Sequence, residues 1–321
     1  MSVPEVSIII VSWNTRELLD GCLASIQAET SVPVEVVVVD NASGDGSCEM
    51  VATKYPDVRL IRNTANRGFA AANNQGLRVC QGRFALLLNP DTVILDRAID
   101  RCVEFMHREP AIGCLGCQVW ETPELIQRTC FRFPTLRSEF AAGFRLDRWP
   151  LLRKLSGDQW MLDWDRCSAR DVDVVSGMFL LLRREVMDRI GFLDESYFVY
   201  GEEADWCRQM ARIGVRCHFS PEARILHLEG GGKSTSQRSV AMYVQQHRSL
   251  IVYFRKNRGL AAELALRALL ALRMGVRLAA GAALVVPRPA VGRRILAQSW
   301  SSLRLVLTER AAIVGANGGP P

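Results

Sequence analysis

Residues 34–47 decide the fold of this chain; they read VEVVVVDNASGDGS. A short β-branched run with almost no polar interruption is typical of a parallel strand that is buried on both faces. The run ends at Asp40, and the Asn, Ser and Gly residues that follow favour a turn. Residues 6–11 and 84–88 are similar apolar runs. The pattern therefore predicts buried parallel strands that each end in polar residues.

Segments with helical periodicity alternate with these runs. Helices are predicted over residues 17–27, 69–80 and 96–107, and further strands over residues 58–61 and 112–119. This alternation indicates an open α/β sheet built from βαβ units. Ligands of such sheets bind beyond the carboxyl ends of the strands. Polar segments lie at those ends over residues 12–14, 40–41 and 89–91.

The alternation is lost over residues 120–170, which we interpret as an irregular insertion. The pattern then predicts a strand over residues 172–182, a short helix to residue 190, a helix over residues 202–213, and strands over residues 215–219 and 224–228.

Composition limits the class of protein. With 321 residues, 49% of them hydrophobic, the chain can bury a sizeable core. Its ten cysteines form no disulfide framework, and the CxxC of Cys114 and Cys117 lacks a second pair, so we expect reduced, packed thiols rather than metal ligands. Pro4 and Glu5 interrupt any signal-peptide pattern, and arginines interrupt the best candidate for a membrane span. We therefore expect a cytoplasmic protein.

Positive charge is concentrated near the C-terminus. Residues 253–321 hold eleven Lys and Arg against two acidic residues, a net charge of +9, whereas the whole chain is +6. On a helix over residues 260–286, four charged side chains fall within roughly a third of the circumference and leave a wide apolar face; they are Glu263, Arg267, Arg273 and Arg277. Residues 291–308 are similarly amphipathic. We predict a globular domain over residues 1–255 and a basic helical tail over residues 256–321.

The tail fits an in-plane anchor on an anionic membrane. The alternatives are packing against the rest of the chain or against a second subunit, which would make a homo-oligomer. Nucleic acid is disfavoured as a partner because the tail has long apolar faces and few groups that read bases.

Two strand ends carry candidate binding groups. Asp40 can accept a hydrogen bond from a ribose hydroxyl or a base N–H, although a capped turn uses the same residues. Asn66 and Arg67 precede a helix rich in small residues, and helix N-termini favour phosphate. An arginine at a helix start is otherwise solvated.

A third strand end carries a candidate metal ligand. Residues 86–91 read LLLNPD, which brings Asp91 to the edge of the sheet. Mg²⁺ and Mn²⁺ prefer such hard oxygen ligands together with nucleotide phosphates. A turn with proline at its second position is the alternative.

Seven segments in this order resemble the inverting family-2 glycosyltransferases of GT-A fold, over roughly residues 5–255: VSIIIVSWN, VVVVDNASGDGS, NRGFAAANNQG, LLLNPDT, SGMFLLLRR, FVYGEEADWCRQMARIG and ILHLEGGGKS. The Asn-Pro-Asp form and the Gly-Gly-Gly-Lys-Ser segment most resemble the bacterial rhamnosyltransferase branch. The resemblance implies a mixed α/β sheet flanked by helices, followed here by the amphipathic helical tail.

The resemblance also implies roles for individual residues. Asp40 would read the base or ribose, Asp91 and His227 would bind Mg²⁺ or Mn²⁺, and Asn89 stands where the first Asp of a DxD motif is usual. The other residues implied to line the nucleotide site are Ser12, Asn14, Asn41, Asn66, Arg67 and Lys233. Lys233 would reach the diphosphate from a mobile loop, and a plain linker is the alternative.

Glu203 stands where the family has its general base, which is normally an Asp, while Glu202 and Asp205 would orient the acceptor or cap the helix. The implied reaction moves a sugar, best assigned as rhamnose from dTDP-rhamnose, to a lipid-linked or polysaccharide acceptor in cell-surface glycan synthesis. The alternatives are another donor such as a UDP-hexose, or a non-catalytic nucleotide-sugar-binding scaffold. A dinucleotide-dependent oxidoreductase is disfavoured because no GxGxxG follows the first strand.

Overall fold

The computed structural model describes residues 3–156, 158–228 and 239–309. Within these residues the main sheet has ten strands. Eight of them follow one another as neighbours across the sheet, and the other two are short strands paired with members of that series. The predicted strands at residues 6–11, 34–39 and 84–88 form the parallel part of this sheet.

The parallel part is centred on β1 (Val6–Ser12). Its neighbours are β2 (Val34–Asp40) and β4 (Phe84–Leu88), and β3 (Arg59–Arg62) forms the edge. The connecting helices are α1 (Arg16–Glu29), α2 (Ser47–Lys54) and α3 (Phe69–Leu77). Ser12 and Asp40 are register partners, so β1 and β2 end at the same level. We call the ends of β1, β2 and β4 the carboxyl-end edge.

The other part of the sheet is mixed. β11 (Phe179–Arg183) lies antiparallel between β4 and β6 (Ile112–Thr122), and β12 (Arg216–His227) runs parallel to β6. β5 (Thr92–Ile94) pairs antiparallel with the end of β12, where Thr92 is the register partner of His227. Two short strands extend this part, since β7 (Leu125–Ile126) pairs with β6 and β9 (Arg170–Val172) pairs with β12. β8 (Cys130–Phe131) and β10 (Val174–Val175) form a separate two-stranded antiparallel sheet. The accompanying helices are α4 (Ala98–Arg108), α7 (Arg184–Ile190) and α8 (Glu202–Arg212).

Two element predictions were wrong. The single strand predicted over residues 172–182 is three strands, β9 to β11, because Val174 and Val175 pair with β8 in the separate two-stranded sheet, whereas β9 and β11 pair within the main sheet. The two strands predicted over residues 215–228 are the single strand β12, whose register shifts between Ser220 and Arg224.

The core has a layer on each face of the sheet. Ile8 and Ile10 pack with residues of α1 and α4, whereas Ile9 packs with residues of α3 and α8. Alternate side chains of one strand therefore serve opposite layers, as the period of two requires. A Cβ at Gly76 would lie 2.5 Å from Ile9 Cγ2, so α3 approaches β1 more closely than any larger residue permits.

The chain divides into two compact units. The first comprises Met1–Phe133, Trp160–Leu193 and Glu203–Ser234 and contains the sheet. The second comprises Pro134–Gln159, Asp194–Glu202 and Thr235–Pro321. The boundary predicted at residue 255 falls inside a helix of the second unit, α9 (Val240–Arg258).

The second unit is helical. Its other helices are α5 (Leu136–Gly143), α6 (Pro150–Ser156), α10 (Leu260–Leu284) and α11 (Pro289–Thr308). α10 and α11 pack closely, since a Cβ at Gly292 would lie 2.7 Å from the Val285 nitrogen. None of the described helices is long and apolar enough to cross a bilayer.

The charged stripe of α10 is its packed face. Glu263 is 6% exposed and accepts from Arg267 Nε at 2.8 Å, while Arg267 also donates to the Val306 carbonyl of α11 at 2.6 Å. Arg277 donates to Gln298 Oε1 at 3.2 Å. The exposed residues of α10 are all apolar or glycine: Leu260, Ala261, Leu264, Ala265, Ala268, Leu272, Gly275, Val276, Ala279, Ala280, Ala282 and Ala283.

Candidate active site

The ends of β1 and β2 are joined by their own polar side chains. Ser12 is buried and its hydroxyl hydrogen-bonds with that of Thr15 at 2.9 Å. The Asn14 backbone N–H donates to Ser43 Oγ at 2.9 Å, and Asn14 Oδ1 accepts from the Gly44 N–H at 2.8 Å. These contacts fix the two loops against each other at the carboxyl-end edge.

Two residues in these loops have left-handed backbone. Asn14 has φ 55° and Ala42 has φ 65°. Asn tolerates this region, but alanine rarely adopts it and there it costs about 1–2 kcal/mol. Such strain clusters at binding sites because the surrounding structure holds the chain in a required position. The loop after Asp40 is therefore built to a defined shape.

Asp40 lies at the centre of this edge and is 2% exposed. Its Oδ2 accepts from the Ser43 N–H at 2.9 Å, whereas its buried Oδ1 accepts no hydrogen bond of normal geometry from the described residues. Burial, together with contact to the Asp40 carboxylate, raises the pKa of the Cys48 thiol to about 11. Among the described residues, Oδ1 has no N–H donor.

Asn41 holds the neighbouring loop in place. Its side-chain amide donates to the Gly68 carbonyl at 3.1 Å and accepts from Asn63 Nδ2 at 3.0 Å. Both functions of the amide are used within the protein, so Asn41 positions the start of α3. The predictions missed Asn63, although a polar residue two positions after the strand predicted over residues 58–61 was a usable signal.

The segment before α3 presents one cation. Asn66 Oδ1 accepts from the Gly68 N–H at 2.9 Å, and the Arg67 side chain is exposed. Gly68 has φ 82°, so only glycine fits this entry to the helix without strain. No side chain of the described residues caps α3, and the first N–H groups of a helix favour an anion.

The Asn89–Asp91 turn follows β4. The Asn89 N–H donates to the Met178 carbonyl at 3.1 Å, and its carbonyl accepts from Thr92 Oγ1 at 2.7 Å. Cys22 lies beneath this turn; burial raises the pKa of its thiol to about 12, and the negative charge of Asp91 contributes to the increase. The turn therefore holds Asp91 as a negative group above an apolar layer.

Asp91 and His227 are brought together although 136 positions separate them in the sequence. Asp91 Oδ1 lies 3.1 Å from His227 Nε2, and both atoms are buried. The contact lacks hydrogen-bonding geometry, and neither ring nitrogen of His227 has a hydrogen-bond partner among the described residues. The Leu228 N–H donates to the Asp91 carbonyl at 2.8 Å and fixes the two strand ends together.

Glu203 lies in the first turn of α8 and is partly buried. The chain reaches it through two successive left-handed residues, Tyr200 (φ 70°) and Gly201 (φ 88°). Asp205 is fully buried and accepts from Gln209 at 3.1 Å within the same helix. The role of Glu203 as general base stays a prediction. The role of Lys233 in binding the diphosphate also stays a prediction, and Lys233 lies outside the described residues.

Comparison with known proteins identifies the family. Residues 7–191 match the family model for glycosyl transferase family 2. The chain belongs to this family. This confirms the family predicted from the seven segments.

The family-2 chain has curated relatives among glycan-building enzymes. It is 26% identical over 258 residues to the N-acetylglucosaminyl-diphospho-decaprenol L-rhamnosyltransferase of Mycobacterium tuberculosis, an alignment that covers 77% of this chain and 82% of the relative. It is also 26% identical over 234 residues to the O-antigen biosynthesis protein RfbC of Myxococcus xanthus, covering 72% of this chain but only 18% of that protein.

Solved structures confirm the predicted GT-A fold. A mannosyltransferase from Pyrobaculum calidifontis, in complex with GDP-Man and Mn²⁺, is similar with a TM-score of 0.53 at 21% identity, covering 94% of this chain and 88% of that one. GalNAc-T7 with UDP, GalNAc and Mn²⁺ is similar with a TM-score of 0.57 at 17% identity, and the alignment covers 80% of this chain and 49% of that one.

Proposed function

We propose that this glycosyltransferase moves a sugar from a nucleoside-diphosphate donor to an acceptor hydroxyl with inversion at C1. The observation that carries the proposal is the contact between Asp91 and His227 at the edge that also carries Asp40. A ligand pair and a nucleotide-reading carboxylate at one end of the sheet fit the two halves of a nucleotide-sugar.

Asp91 and His227 fit a divalent cation. A buried carboxylate oxygen and imidazole nitrogen 3.1 Å apart and not hydrogen-bonded to each other have the positions of two ligands on one ion. The imidazole favours Mn²⁺ over Mg²⁺, because Mg²⁺ takes mostly oxygen ligands. The two similar solved structures hold Mn²⁺. When bound, such an ion neutralises the charge that develops on a departing diphosphate.

The donor is oriented by the protein groups at the carboxyl-end edge. Asp40 Oδ1 accepts a hydrogen bond from the base or the ribose, and the uncapped start of α3, with Arg67 beside it, attracts the phosphates. Asn14 and Asn41 act through the loops that they hold. Lys233 follows His227 in the sequence, and its role is binding of the diphosphate.

Glu203 acts as the general base. Its carboxylate takes the proton of the acceptor hydroxyl while the oxygen forms a bond to C1. The bond from C1 to the phosphate oxygen breaks, and its electron pair leaves with the nucleoside diphosphate through an oxocarbenium-like state. Attack on the face opposite the leaving group inverts C1.

We assign rhamnose as the donor sugar and a lipid-linked glycan as the acceptor. The support is the mycobacterial rhamnosyltransferase, whose name specifies a diphospho-decaprenol acceptor and which aligns over 77% of this chain. A UDP-hexose is the alternative donor, since the residues described bind the nucleotide and phosphates rather than the sugar.

A panel of nucleotide-sugars tests this function. We expect Mn²⁺-dependent release of nucleoside diphosphate, highest with dTDP-rhamnose and a polyprenyl-diphosphate acceptor. E203Q should lower turnover by about 10²–10⁴-fold and keep donor binding, because only the base is lost. E222Q, at an exposed surface ion pair, is the control and should retain turnover. Donor binding without turnover in the wild type would favour the scaffold alternative.

The apolar face of α10 fits the surface of an anionic membrane. Leu264, Leu272 and Val276 are each more than half exposed, while the charged residues of the helix pack inward. Exposed arginines lie on the adjacent helix: Arg293, Arg294 and Arg304. An apolar face beside basic groups matches acyl chains and acidic headgroups.

Vesicle sedimentation tests this contact. L264E and L272E together should abolish binding to vesicles containing acidic lipid, whereas L125E, at a half-exposed leucine of β7 in the sheet-containing unit, should leave it unchanged. A double variant that binds vesicles normally but loses self-association would instead assign the face to a second copy of the chain.

A further inference from the structure

Three cysteine side chains converge in the core of the first unit. Cys114 and Cys217 are register partners on the neighbouring strands β6 and β12, and Cys207 comes from α8. Their Sγ atoms all lie within 4.8 Å of one another, and the three residues are 0%, 5% and 0% exposed. A fourth sulfur is adjacent, since Met210 Sδ lies 3.9 Å from Cys217 Sγ.

The surroundings of this sulfur cluster are apolar. Trp206 and Phe219 are fully buried in the same core layer, and Cys130 is a further member of it. Hard cations require oxygen ligands and water, which such a layer does not offer, whereas thiolate and thioether sulfur select soft cations.

Packing explains burial of each cysteine but does not require the sulfurs to meet. Cys117 provides the comparison, because it lies on the same strand as Cys114 and is equally buried, yet belongs to the opposite core layer. Its neighbour there is Cys102, so that layer offers a pair of thiols. Three converging thiols and a thioether can complete a cation's coordination shell.

We propose that Cys114, Cys207 and Cys217, with Met210 beside them, form a closed site for a thiophilic d¹⁰ cation, Zn²⁺ or Cu⁺. Binding involves no change of oxidation state: each thiol that binds gives its proton to solvent. The site would join α8 to β6 and β12. Since Glu203 lies four residues before Cys207 on α8, the same cation would fix the helix that carries the proposed base.

Metal analysis of the full-length protein tests the site. Apoprotein prepared with a non-thiol reductant is loaded anaerobically with Zn²⁺ or with Cu⁺, and retained metal is measured after gel filtration. We expect one tightly held equivalent and a rise in the melting temperature with one of the two cations. C207A should lose both effects, whereas C117A, a buried control on the same strand as Cys114, should keep them.

X-ray absorption spectroscopy of the retained metal identifies its ligand atoms in the wild-type protein. This measurement does not depend on whether C207A folds. A shell of sulfur neighbours in wild-type protein supports the site. Oxygen and nitrogen neighbours would place the ion at Asp91 and His227 instead and overturn the proposal. It is equally overturned if neither cation is retained, or if retention is unchanged in C207A. Mn²⁺-dependent turnover is a separate readout, so the proposed transferase function stands or fails independently.

Discussion

Asp40 and Asp100 are both 2% exposed carboxylates of the first unit, but their oxygens are used differently. Asp100 Oδ1 accepts from the Ser31 and Val32 N–H groups at 3.1 and 3.0 Å, and its Oδ2 accepts from Arg97 Nε at 2.8 Å. Asp40 receives one N–H on Oδ2 and none on Oδ1 from the described residues. A carboxylate whose oxygens all accept hydrogen bonds from its own chain stabilises the fold, whereas a buried carboxylate oxygen without a donor fits the ligand-binding role that we propose for Asp40.

Replacing Asp40 should produce the largest effect in this comparison. In D40N the oxygen that accepts from Ser43 can be kept, but the other position becomes an NH₂ group, which repels a donor on the ligand. Loss of a charge-assisted hydrogen bond of about 1.5–3 kcal/mol corresponds to a donor affinity about 10–100-fold weaker. Calorimetric titration with nucleoside diphosphate measures it. Unchanged affinity in a folded D40N would remove Asp40 from the nucleotide site.

Replacing Asp100 should affect stability and leave donor binding intact. D100N retains one acceptor but turns an NH₂ group toward backbone N–H or Arg97 donors, which we expect to lower the free energy of unfolding by about 1–3 kcal/mol. Urea denaturation measures this change. A weaker donor affinity in D100N, with stability unaltered, would reverse the roles assigned to the two carboxylates.

The pH dependence of stability should give the smallest effect. Burial alone would raise the pKa of Asp100, but hydrogen bonds from Val32, Arg97 and Ser31 outweigh it and lower the pKa below the ordinary 3.8. Because the folded pKa is the lower one, the stabilisation is complete above 3.8 and is lost as pH falls through the folded value. The stability difference between wild type and D100N should therefore shrink in acid. A difference that grows on acidification would contradict the assignment.

The sequence was sufficient for elements with an uninterrupted signal. The strand predicted at residues 84–88 matches β4, because five apolar residues end sharply at Asn89. By contrast, α2 was hidden among the Gly and Ser residues that mark a turn, and its N-terminal neighbour Gly46 is left-handed. The pairing of Val174 and Val175 with β8 depends on tertiary packing, so the local pattern over residues 172–182 predicted one long strand where the chain has three.

The sequence was sufficient to name candidate residues for the site, but it did not predict which of them contact each other. Asp40 and Asp91 could be proposed because they follow apolar runs, but the contact of Asp91 with His227 depends on the antiparallel pairing of β5 and β12. The partners of Cys114 are not in its CxxC but on α8 and β12. The helical periodicity of α10 likewise predicted a charged face and an apolar face, but it did not indicate which of the two packs against the protein.

The central claim is that Asp91 and His227 hold a divalent cation for the donor diphosphate. Calorimetric titration of dTDP into wild type, H227A and E203Q, each with and without Mn²⁺, tests it most directly. The account predicts that Mn²⁺ strengthens dTDP binding in the wild type and in E203Q, and that H227A loses this gain. Equal dTDP affinity with and without Mn²⁺, or a gain preserved in H227A, would contradict it.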